Sequence, residues 1–165
     1  VEEEPEAPVI PQPLRPGEVE ELERPDISTL ETAQDRWRGL VSFMRQLNAP
    51  VAAACEYAYV EKFAEGQVIL RFDEGYHDLA SEEDRTRVIK ETVADLFGEH
   101  WQVEVHLRRE EDGALPKTLA QERQEDIDRR RKMLADQILE DPAVQEAKEI
   151  FGAEDPRVTV RLFDE

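Results

Sequence analysis

The sequence predicts an α+β domain: a small sheet of about four strands with packed helices, in the order α-α-β-β-α-β-α-α-β. Three observations point there. Several segments place apolar residues at helical spacing between recognisable start and stop signals. Short runs with alternating or continuous apolar residues sit between them, bounded by Gly turns. About 137 residues carry this pattern, enough to bury roughly two-thirds of the unfolded surface around one core.

Ser28-Thr29-Leu30-Glu31 has the form of a capping box, with Ser28 at the N-cap. It is expected to open a helix whose apolar positions are Leu30, Trp37, Leu40, Val41, Phe43, Met44 and Leu47, one broad face at period 3.6. Asn48-Ala49-Pro50 breaks it, and Pro50 suits the first turn of a second helix reaching about Ala58. Strands are expected over Tyr59 to Phe63 and Gln67 to Phe72, joined at Glu65-Gly66.

Ser81-Glu82-Glu83-Asp84 has acids placed for a helix first turn. Val88, Ile89, Val93, Leu96 and Phe97 then make its inner face, and Gly98 stops it. Trp101, Val103, Val105 and Leu107 alternate with polar residues as a half-buried strand should. From about Pro116 to Glu140 runs a long charged helix with only a thin apolar stripe: Leu119, Ile127, Leu134 and Ile138. Glu125/Arg129 and Asp126/Arg130 are spaced to support it. Pro142 opens a last helix, Gly152 ends it, and Val158, Val160 and Leu162 alternate as a final strand.

Residues 1–28 read differently. They hold six of the ten prolines and nine acids against two arginines, with no apolar periodicity. Such a stretch cannot bury enough surface to offset the cost of ordering, so an acidic, proline-rich flexible linker is expected. The chain begins with Val, as a fragment of something longer would. Residues 29–165 are expected to form a single α+β protein-binding domain, monomeric when isolated. They carry −12 of the total charge of −19. Phosphate backbones repel such a surface, which favours a basic protein partner or plain solubility over nucleic acid.

Cys55 is the only cysteine, so an internal disulfide cannot form, and its place in Val51-Ala52-Ala53-Ala54-Cys55 suits a small buried hydrophobe. No apolar stretch approaches the length of a membrane span and no signal peptide is recognisable, so a cytoplasmic location is expected.

Enzyme chemistry finds no constellation to stand on. The seven glycines form no phosphate loop, and the three serines, Ser28, Ser42 and Ser81, lie in no nucleophile elbow. His77, His100 and His106 lack zinc-ligand spacing. No catalytic residue, cofactor or metal is expected. Arg129-Arg130-Arg131-Lys132 is the one basic cluster; the acids one turn earlier, Glu122, Glu125, Asp126 and Asp128, are its expected partners. The topology is KH-like, yet the Gly-x-x-Gly loop with which KH modules grip nucleic acid is absent.

Four features in order carry a resemblance. An acidic, proline-rich lead-in reaches a helix containing Trp37-Arg38-Gly39-Leu40-Val41. A short Ala-rich helix precedes a Gly-turned strand, Gly66-Gln67-Val68-Ile69-Leu70-Arg71-Phe72. Phe97-Gly98 is followed by Val103-Glu104-Val105. The charged helix leads into Asp141-Pro142-Ala143-Val144 and Ile150-Phe151-Gly152. In these the chain resembles the C-terminal domain of the tau subunit of bacterial DNA polymerase III, over nearly all of residues 29–165.

The resemblance implies a non-catalytic docking module of the replisome at the replication fork. In that family this domain binds the C-terminal region of the polymerase alpha subunit. An N-terminal ATPase part, absent from these residues, joins the clamp loader. The family transfers no contact residue to this chain.

The residues themselves suggest a partner-binding set. On the final strand Arg157, Thr159, Arg161 and Phe163 face away from Val158, Val160 and Leu162, and an aromatic between arginines suits a hot spot. At a sheet edge that strand would also accept a partner strand. The alternative places Phe163 back on Phe151 or the long helix. Tyr76 and His77, expected in a loop, complete the set. The competing function is a KH-like nucleic-acid-binding accessory domain using Arg129 to Lys132.

Overall fold

A computed structural model describes residues 22–154 and 156–162, and of Leu79 and Ala80 the backbone alone. Most of the expected linker, and Phe163, lie outside the described residues. The class is α+β, as expected: among the described residues there are six α-helices and a mixed sheet of three strands rather than four. The described residues fall into two compact units that divide between Pro116 and Lys117. The domain expected over 29–165 contains both.

In the first unit the opening helix α1 spans Ala33–Leu47. Its N-cap is Thr32, whose hydroxyl accepts from the Asp35 backbone N–H at 3.0 Å. Ser28, expected in that role, instead sits in a 3-10 turn over Ile27–Thr29, where the Asp26 side chain accepts from its backbone N–H. Both sites have a hydroxyl followed three residues later by an acid, and the helix begins at the second. In the segment before it, Glu23 exchanges two hydrogen bonds with the Gln46 side chain, and Arg24 lies over the Phe43 ring, both residues remaining exposed. Trp37, Leu40, Val41, Phe43 and Met44 are buried, as their spacing requires.

Asn48 ends α1 and caps α2, Ala49–Cys55, with its side chain accepting from Val51 N. Strands β1, Tyr59–Ala64, and β2, Gln67–Phe72, pair antiparallel. Glu65 and Gly66 link them with φ of 55° and 75°, the left-handed conformations that a two-residue hairpin turn needs. A register shift between Val60 and Lys62 lets both Tyr59 and Val60 be buried while Glu61 stays exposed beside Arg71.

After β2 come two helices, α3 over Glu74–Ser81 and α4 over Glu83–Phe97. They carry the chain back so that β3, Gln102–Leu107, lies parallel to β2 and the sheet order is β1-β2-β3. Helix α3 corrects the expectation that Tyr76 and His77 occupy a loop. The Asp73 carbonyl accepts from the N–H groups of both, starting a helix that packs on α2, α4, β2 and β3. Ser81 ends α3 instead of capping α4.

Helices α1 and α4 and the inner face of the sheet share one core of Trp37, Phe43, Phe63, Phe72, Leu70 and Ile89. Phe63, Phe97 and Trp101 form a ring cluster with centroids 5.0 to 5.5 Å apart. Arg36 ties the periphery together, donating from Nε to the Leu30 carbonyl and from Nη1 to the Phe63 carbonyl. Along β3 the burial fades: Val103 is buried, Val105 half-buried and Leu107 exposed.

The second unit is simpler. Thr118 and Gln121 form a capping box at the start of α5, Leu119–Glu140. Asp141 separates it from α6, Pro142–Phe151, and caps the latter by accepting from Ala143 N at 2.8 Å. Pro142 occupies the first turn and Gly152, at φ 62° and ψ 27°, stops the helix, as the sequence led one to expect. The final segment is not a strand. Val158, Val160 and Leu162 are half-buried and Arg157, Thr159 and Arg161 exposed, so the expected alternation is present, but it forms no ladder among the described residues.

Candidate docking surface

Neither long element of the second unit buries a side chain. Helix α5 has no buried residue over its 22 positions and α6 none over its 10. Their apolar residues are nonetheless large. Met133, Leu134 and Ile138 are exposed on α5, while Ile150 and Phe151 at the end of α6 are 71 % and 82 % exposed. Single exposed apolar side chains are ordinary; five on two adjoining helices are more than that and make these helices the candidate surface.

The elements explain the exposure. The large apolar residues of helix α5 are Leu119, Ile127, Met133, Leu134, Ile138 and Leu139, too thin a stripe to enclose a core. Most of the other positions are charged or amide side chains. Its helicity is supported by the capping box and by ion pairs along its length. Arg129 and Arg130 both meet Asp126 at 3.1 Å, Arg131 meets Asp128 at 3.8 Å, and Lys117 meets Glu125 at 2.7 Å. The basic cluster is thus engaged with acids of its own helix, three of its four members by these pairs.

A groove of about 440 Å³ runs along α5. Ile127, Met133, Leu134 and Leu162 supply its apolar lining; Arg130, Arg131 and Gln137 supply the polar part. It brings the end of the final segment against the long helix within one unit. A second hollow, lined by Leu134, Gln137, Ile138, Asp141 and Val144, continues toward the α5–α6 corner.

Of the residues expected to bind a partner, Arg157 and Arg161 are exposed in the final segment, and Leu162 beside them enters the groove. Phe163 lies outside the described residues, so its expected place between them is not described. Tyr76 and His77 belong to the first unit. Tyr76 stacks on Tyr57, and His77 is half-buried with Nδ1 3.6 Å from Asp78. Met133, Ile150 and Phe151 were not singled out. No local signal marks the last two as exposed, since adjacent apolar residues are buried together on other helices, as Val51 and Ala52 are on α2.

Other clusters offer less. His106 Nε2 lies 3.0 Å from Glu104, and Gln67 donates to the same carboxylate at 3.1 Å; these hydrogen bonds, His106 first, hold Glu104 below the usual carboxylate range. Both Glu104 and His106 are open to solvent, where such a pair is ordinary. Among the described residues no three His, Cys, Asp or Glu side chains converge as metal ligands would. Nor, among them, is any helix long and apolar enough to cross a membrane.

No protein-family model, curated protein or solved structure matches the chain.

Proposed function

We propose that this chain is a non-catalytic docking module of the bacterial replisome, tethering the alpha subunit of the replicative DNA polymerase to the clamp-loader complex. It would act in the cytoplasm, at the replication fork, without a cofactor. The single observation that carries the docking role is the pair of helices α5 and α6, which bury no side chain while presenting Met133, Leu134, Ile138, Ile150 and Phe151. Surfaces of that kind favour protein partners. The identity of the partner comes from the resemblance to tau, carried by the Trp37 helix, the Gly66 strand, Phe97-Gly98 and the Asp141-Pro142 and Phe151-Gly152 stretch.

The acidic proline-rich stretch fits the same role. A folded module on a tether raises the effective concentration of its partner, so a modest affinity sustains a persistent complex. The KH-like nucleic-acid reading is weaker, because the Gly-x-x-Gly loop is absent and the total charge is −19.

The test is capture of the cognate polymerase alpha subunit by the full chain without DNA, repeated across a salt series. Capture that persists with rising salt supports apolar docking. Failure at micromolar concentration removes the polymerase reading, and steeply salt-dependent DNA binding in its place would establish the alternative.

A further inference from the structure

Resting on the docking reading, we infer that the groove along α5 receives an acidic amphipathic segment of the partner. An aliphatic or aromatic anchor enters between Ile127, Met133, Leu134 and Leu162, and flanking carboxylates meet Arg130 and Arg131. Charge complementarity selects this occupant. In a chain with 40 acids and 21 bases, none of the groove's lining residues is acidic and two are arginines.

Arg130 and Arg131 are bound loosely enough to change partners. Their pairs with Asp126 and Asp128 lie on an exposed helix face, where solvent screens the attraction. A guanidinium also has donors for more than one carboxylate, so a partner acid need not displace the first. The groove's volume suits one or two side chains, which is the anchor geometry of an amphipathic helix laid along a groove. A second copy of the chain is a poorer occupant, because it brings a whole body of charge −19, whereas a short acidic segment brings only the few carboxylates that meet Arg130 and Arg131. Bare nucleic acid would leave the aliphatic lining without an apolar match.

The experiment uses the full chain with methyl labels on isoleucine and leucine. Two synthetic helical peptides of about 15 residues, four turns, share one leucine–phenylalanine stripe. One carries glutamate at every polar position and the other lysine. The glutamate peptide is expected to shift the methyl resonances of Ile127, Leu134 and Leu162 and to bind about tenfold more tightly than the lysine peptide. The R130E/R131E variant should reverse that preference. The R130Q/R131Q variant, which adds no repulsion toward Asp126 and Asp128, should abolish it; circular dichroism confirms that both remain folded.

Unmoved methyls with either peptide would overturn the assignment, as would equal binding of the two, or a preference that survives in both variants. Shifts that depend on protein concentration alone would give the groove to a second copy and overturn it too. If the polymerase subunit is captured while the methyls ignore both peptides, the groove fails and docking stands. If the glutamate peptide seats but the subunit is not captured, the groove's chemistry is supported and the polymerase is removed as its partner.

Discussion

Tyr57 and Tyr76 stack face to face, their ring centroids 4.1 Å apart and their planes 6° from parallel. Tyr57 follows α2 and Tyr76 lies in α3, so the contact adds to the packing of one short helix on the other. Helix α3 has no side-chain hydrogen bond at its N-cap, which makes such packing important to its existence. Replacing Tyr76 by Ala should cost about 1 kcal/mol of stability, the usual scale for an aromatic pair. Chemical denaturation measures it. An unchanged midpoint would mean that the stack contributes nothing and would return Tyr76 to the list of residues free to face a partner.

Glu56 is only 6 % exposed, yet it carries a carboxylate at the end of α2. Arg45 of α1 reaches it, with its own side chain largely in solvent. Removing the cation takes one charged partner from a buried carboxylate, which costs more than the ion pair itself contributes. Arg45→Ala should destabilise the protein by about 2 kcal/mol, below the range for fully buried pairs because Arg45 is half exposed. Glu56→Gln in the Arg45→Ala background should recover part of the loss. If the double variant is no more stable than the single, the buried charge is not the cause.

Cys55 is buried in α2, and burial pushes its thiol up to about 12 from 9.0. Below pH 9.0 the thiol is protonated whether the chain is folded or not, so it has no effect on stability. Between 9.0 and about 12 the unfolded chain releases a proton that the native state retains. Stability should therefore fall as pH rises through that window, with a slope of up to ~1.4 kcal/mol per pH unit from this group. Cys55→Ala should flatten that part of the pH profile. At pH 8 a thiol reagent should label Cys55 only at the rate at which the native protein opens, and rapid labelling of folded protein would contradict its placement.

Gly98 ends α4 at φ 119° and ψ 152°, a conformation that side chains rarely adopt. A Cβ there would also meet the His100 ring at 2.9 Å. Gly98→Ala should cost roughly 2 kcal/mol, from backbone strain together with displacement of His100. Gly75, with nothing within 4 Å of a Cβ and inside α3, is the control: Gly75→Ala should leave stability the same or raise it. A similar response at both positions, followed by thermal unfolding, would show that the Gly98 conformation is not the constraint.

The core was legible because its residues repeat at a period that only one structure satisfies. Trp37, Leu40, Val41, Phe43 and Met44 could share a face only on a helix, and the Glu65-Gly66 turn left Val68, Leu70 and Phe72 only a strand's alternation. Where tertiary contacts decide, local reading failed. The α3 segment has Gly75 near its start and no side-chain cap, and it is a helix because α2, α4 and the sheet surround it. The final segment failed in the opposite sense. Its alternation is real in burial, but a strand also needs a neighbour to accept its hydrogen bonds, and that is not written in period two. The candidate surface is half legible: Arg157 and Arg161 are marked by their charge, while Ile150 and Phe151 have the pattern of an ordinary inner face of a short helix.

Ile150 and Phe151 separate folding from docking most cleanly. Side chains exposed to 71 % and 82 % have little to lose on folding, so replacing both by Ser should change stability by no more than about 0.5 kcal/mol. Their removal from a docked interface is different, because a buried aromatic anchor there carries a large share of the binding energy. Capture of the polymerase alpha subunit should weaken at least about tenfold in the doubly substituted full chain, with an unchanged denaturation midpoint. Loss of stability in step with loss of binding would mean that the pair completes the fold of the second unit. Retention of both would place the contact elsewhere on α5, where the Arg130 and Arg131 variants report independently.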